Sequence, residues 1–121
     1  GKIRIVKPNL TKFVQLLGAT PDAEAQRFID AKFRLGGVPI NAVPATYILN
    51  RQMREWGHQF VYDPATLRKS LELVGFKQIT QYEVTQKTDP VFHEVEFRTH
   101  HSNPDLTIIN NWEAMAFEAV R

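Results

Sequence analysis

Every glycine after Gly1 falls where a stripe of apolar residues at helical spacing runs out. Glycine enters the left-handed backbone that closes a helix without steric cost, so a residue so placed marks a stop. Leu10, Phe13, Val14 and Leu17 precede Gly18, and Phe28, Ile29 and Phe33 precede Gly36-Gly37. Tyr47, Ile48, Met53 and Trp56 precede Gly57, and Leu67, Leu71 and Val74 precede Gly75. The starts are marked as well. Asn9 is a capping residue before the first stripe, and Thr20-Pro21-Asp22 offers a cap, a proline at the first helical position and an early acid. Pro44 or Ala45 opens the third stripe, and Asp63-Pro64 opens the fourth. The pattern predicts four helices. It also leaves no glycine to follow a strand, and no Gly-x-Gly-x-x-Gly occurs anywhere in the chain.

Three segments read as strands. Lys2–Val6 alternates with a period of two, Lys77–Thr85 carries Ile79, Tyr82 and Val84, and Glu113–Val120 sets Met115, Phe117 and Ala119 on one face. His58–Tyr62 is short and extended, and the span from Gln86 to Asn111 reads as mostly irregular. The expectation is one α/β domain over residues 1–121, with a small mixed sheet of about three strands and helices packed beside it. A chain of this length buries roughly 65% of its unfolded surface, enough for a core.

Composition excludes several classes. The formal net charge of +2 comes from scattered basic residues, whereas a nucleic-acid partner calls for a basic face. The chain has no cysteine, which removes a disulfide framework and a thiolate metal site. No apolar run approaches the ~20 residues that span a bilayer, and no signal-peptide pattern opens the chain. The expectation is no nucleic acid, no membrane and a cytoplasmic protein.

The segment Asn50-Arg51-Gln52-Met53-Arg54-Glu55-Trp56-Gly57-His58-Gln59-Phe60-Val61-Tyr62-Asp63 runs from a helix into a Gly-His-x-Phe-x-Tyr-Asp turn. The next helix ends in Val74-Gly75-Phe76, and the chain closes on Glu113-Ala114-Met115-Ala116-Phe117-Glu118-Ala119. With the opening Gly1–Leu10, these segments resemble the C-terminal half of class I S-adenosylmethionine-dependent methyltransferases of the methyltransferase-11-like group. The resemblance implies a last strand lying antiparallel between the first strand and the middle one. It also implies a substrate-lid half of such an enzyme, without the strand and glycine loop that hold S-adenosylmethionine. The cofactor therefore belongs to the parent family, with none expected on this chain alone. The rival expectation is a non-catalytic binding or assembly module on the same scaffold, since fold alone does not carry function.

The resemblance places His58 on the substrate side, as a substrate contact or general base. The plain reading makes it a hydrogen-bonded residue that fixes the turn into the fourth helix. Tyr62 and Arg51 face a substrate or cover their own turn and helix. Trp56 is a pocket wall or rim packing. Asp63 reads as a helix cap. His93 and the His100-His101 pair invite a metal, but adjacent histidines on extended chain point to opposite sides and chelate poorly. Lys2 and Arg4 read as charges guarding an exposed sheet edge. A second copy or a partner chain would dock there, so a homodimer or other assembly is expected.

Overall fold

The structure is a computed structural model that describes residues 1–18, 20–36, 44–86, 88–92 and 102–121. In chain order the elements are β1 (Lys2–Pro8), α1 (Leu10–Gly18), α2 (Ala23–Leu35), α3 (Pro44–Arg54), α4 (Pro64–Leu73), β2 (Lys77–Tyr82), α5 (Pro104–Glu113) and β3 (Ala114–Val120). A short 3-10 turn, Pro90–Phe92, follows β2.

The sheet has the order β1-β3-β2, so the last strand lies between the other two. It pairs antiparallel with both, Ile5 opposite Phe117 on one side and Tyr82 opposite Ala116 on the other. The position expected for the final strand is met, but the sheet is antiparallel throughout rather than mixed. β1 and β2 do run in the same direction, yet they share no ladder because β3 separates them. The β2–β3 register slips between Lys77 and Thr80, and Gln78 there takes a positive φ of 50°.

Caps set the helix starts. Asp63 accepts from the Thr66 N–H at 2.7 Å, with Pro64 in the first turn, as the sequence reads. The cap of α2 is Asp22 rather than Thr20: its carboxylate accepts from the Ala25 N–H at 2.8 Å, and Pro21 precedes the helix. Helix α5 corrects the reading of 86–111 as mostly irregular. Asn103 caps it by accepting from the Asp105 N–H at 3.0 Å, Pro104 sits in its first turn, and Asp105 supplies the early acid. It runs into β3 with no intervening loop.

Two cores result. Phe13 and Leu16 of α1, Phe28 and Ile29 of α2, Ile48 of α3 and Ile109 and Trp112 of α5 form the larger one. Phe28 and Trp112 stack there with centroids 4.1 Å apart, and Phe13 meets Phe28 edge-on at 6.1 Å. The second core lies between α4 and one sheet face, from Leu67, Leu71, Met115 and Phe117, with Ile5, Phe76 and Ile79 packed against it. Arg68 ties α4 to the sheet, donating to the Ile79 carbonyl at 2.7 Å with its guanidinium 5.7 Å from the Phe117 ring centre.

The opposite sheet face corrects the reading of Lys2 and Arg4. Arg4 is only 7% exposed and donates to Glu118, directly across the ladder, at 2.8 Å. It also donates to the Val84 carbonyl at 3.4 Å and to the Thr88 hydroxyl, which itself donates to Glu118. Lys2 reaches Asp89 at 2.6 Å. β1 is an edge strand whose charges hold the segment after β2 onto the sheet, Arg4 from a buried position and Lys2 from an exposed one.

Candidate functional site

A cavity of about 450 Å³ opens between α2, α3, α5 and the end of β1. Volumes of this order hold small molecules. Three of the four residues expected at a substrate site line it: Arg51, Trp56 and His58. The fourth, Tyr62, does not. Its side chain packs against the second core, with its ring 4.7 Å from Phe60, and its carbonyl accepts from the Leu10 N–H at 2.9 Å. Tyr62 thus anchors the start of α1 through its backbone carbonyl, while its ring packs against the second core.

The end of α3 builds the mouth. Trp56 and Gly57 turn the chain through positive φ angles of 58° and 74°. Glycine accepts that geometry freely, whereas a bulky side chain there is strained. The strained Trp56 is 59% exposed at the rim. Its ring carries the Lys32 ammonium at 5.0 Å from the centroid and the Arg51 guanidinium at 5.6 Å. Such cation–π contacts contribute about 0.5–2 kcal/mol each and hold the indole in place. Arg51 also grips Glu55 through two nitrogens, at 2.8 and 2.6 Å, and donates to the Gly36 carbonyl at 3.3 Å. Above all, the hydrogen bond from Arg51 lowers the Glu55 carboxyl below its ordinary range, with the charges of Arg51 and Lys32 adding to the effect.

His58 closes the helix behind this rim. Its Nδ1 lies 2.7 Å from the Gln52 carbonyl oxygen. A carbonyl only accepts, so Nδ1 carries the proton, and in the neutral ring Nε2 is the acceptor left over. A histidine donating to a last-turn carbonyl is a favourable C-terminal partner for a helix. His58 is hydrogen-bonded, but back to the last turn of α3 rather than into the fourth helix, and the same ring lines the cavity.

Sequence reasoning misses four further polar residues of the lining, Lys32, Gln52, Asn110 and Glu113. Gln52 is 2% exposed, and Asn110 and Glu113 come from α5. Lys32 of α2 meets Glu113 at 3.5 Å, both largely buried. Gln52 does carry a signal, because it lies beside Arg51 on α3, six residues before His58. Lys32 and Glu113 carry none, since they meet only through the packing of α2 on α5, a helix that the sequence reading leaves out.

The chain passes from β1 into α1 through Pro8 and Asn9. Pro8 has no N–H, and the Asn9 N–H donates to the Glu113 carbonyl at 2.7 Å. Leu10 donates to Tyr62, Lys12 to the Asn9 carbonyl at 3.1 Å, and Thr11 to the Asn9 side chain at 3.0 Å. Every N–H of this helix start is used.

Among the described residues no three or more His, Asp or Glu side chains gather to hold a metal ion. His93, His100 and His101 lie outside the described residues. No helix among the described residues is long and apolar enough to cross a membrane. No family model, curated protein or solved structure matches the chain.

Proposed function

We propose that this chain is the acceptor-binding part of a methyltransferase-like protein, which holds a small molecule in the cavity and does not bind S-adenosylmethionine by itself. The observation that carries the reading is the convergence of Arg51, Trp56 and His58 on one cavity. Those positions belong to the segment with the most specific resemblance. The sequence supports the division of labour, because it holds no Gly-x-Gly loop of the kind that carries the cofactor in the resembled family. His58 would accept a proton at Nε2 from a bound acceptor, while Gln52 holds the ring through Nδ1.

The same feature supports a second reading, a non-catalytic binding module that uses the cavity without methyl transfer. Calorimetric titration with S-adenosylhomocysteine tests the shared claim: no saturable heat is expected, and micromolar saturation would overturn it. The coding sequence upstream of Gly1 separates the two readings. An open frame encoding a strand and Gly-x-Gly loop supports the enzyme part, and a start codon there supports the module. The outer edge of β1 is our proposed place for a second copy or a partner chain, and a clean monomer at high concentration by light scattering would count against the second copy.

A further inference from the structure

We propose that the cavity between α2, α3 and α5 takes an uncharged, planar hydroxyarene, an inference that rests on the acceptor-binding reading. Charge comes first. Lys32 and Arg51 at the cavity each have a carboxylate against them: Lys32 meets Glu113 at 3.5 Å and Arg51 meets Glu55 at 2.6 Å. An anionic ligand would have to compete with both carboxylates, and a cationic one with both cations. Burying a ligand charge without a surplus of the opposite sign is costly, so a neutral ligand is favoured.

The polar end selects a hydroxyl. Gln52 is 2% exposed, and its Nε2 lies 3.3 Å from His58 Nδ1. That ring nitrogen already carries the proton given to the Gln52 carbonyl, so it accepts nothing from the amide. Among the described residues this amide nitrogen has no acceptor, and a buried donor left so beside a cavity costs free energy until something supplies one. A hydroxyl oxygen accepts from Gln52 while its proton goes to His58 Nε2. An ether would satisfy only the first group, and an aryl amine, whose lone pair is drawn into its ring, offers a poorer acceptor.

The walls select a flat ring. Ile48 and Ile109 form a buried apolar floor, and Trp56 stands at the mouth with its indole exposed. Aromatic ligands gain from such a ring by offset or edge contact, beyond the area buried.

The test uses the intact chain with 2-naphthol, 2-naphthoate and 2-naphthylmethylammonium at neutral pH, followed by amide chemical shifts and Trp fluorescence. The expected result is saturable 2-naphthol binding, with shifts at Gln52, Trp56 and His58, and affinities roughly tenfold or more weaker for both charged probes. Equal or tighter binding of either charged probe overturns the proposal, as does the absence of cavity shifts with 2-naphthol. In Gln52→Leu, 2-naphthol binding is expected to fall about tenfold while naphthalene binding holds; an equal loss for both would also overturn it. The titration with S-adenosylhomocysteine is independent of this series, so failure of the ligand class and failure of the underlying reading are told apart.

Discussion

Two largely buried ion pairs lie in different parts of the fold, and they are built differently. Arg4 and Glu118 lie directly opposite on neighbouring strands, 2.8 Å apart, with Thr88 and the Val84 carbonyl filling the remaining positions. Lys32 and Glu113 bridge two helices at 3.5 Å beside an open cavity. The first pair is set by ladder register and closed over by the segment after β2. The second is looser, its ammonium shared with the Trp56 and Phe28 rings, and open to a ligand. Similar burial thus serves two ends: one pair completes the fold, and the other borders a cavity.

The largest expected effect is at the closed pair. Arg4→Met leaves Glu118 buried beside Thr88 without the guanidinium, and such a loss costs about 3–5 kcal/mol. Urea denaturation measures it. Replacing Glu118 by Leu in the same chain is expected to restore much of the stability, because the uncompensated charge goes with it. A cost below that of an exposed pair would break the comparison.

Lys32→Met is expected to cost less, about 1–3 kcal/mol, because the pair is longer and water can enter beside Glu113. The same denaturation series checks the ranking. A cost equal to that of Arg4→Met would mean that the cavity pair is as closed as the sheet pair.

How much of this contrast is legible depends on sequence distance. The turn from Arg51 to Asp63 is readable because its glycine, histidine and capping acid lie within one connection. Arg51, Trp56 and His58 from that turn do line the cavity, whereas the apolar ring of Tyr62 joins the core. Helices α1 to α4 are readable from caps and glycine stops. Helix α5 carries the same starting signal, Asn103-Pro104-Asp105, but it has no glycine at its end and passes straight into β3. Without α5, Asn110 and Glu113 stay hidden, and with them the Lys32 pair. Arg4 misleads for a related reason: an alternating edge strand looks solvated until the segment that covers it is placed.

The smallest effect is expected at a third pair, Arg51–Glu55, which is a local contact on and just beyond α3. Exposed pairs of this spacing contribute little to stability. Its pH dependence nonetheless has a definite sign. The Glu55 carboxyl is held below its ordinary value of 4.5, first by the hydrogen bond from Arg51. A group lowered in the folded state stabilises it fully above the unfolded value, and the gain is lost as pH falls through the folded value. Glu55→Gln should therefore lower the melting temperature slightly at neutral pH, and the difference from the parent chain should vanish in acid well below 4.5. Thermal melts across that range measure it. A gap that persists in acid would mean that Glu55 acts through packing at the mouth rather than through its charge, and that the mouth is more like the closed pair than the open one.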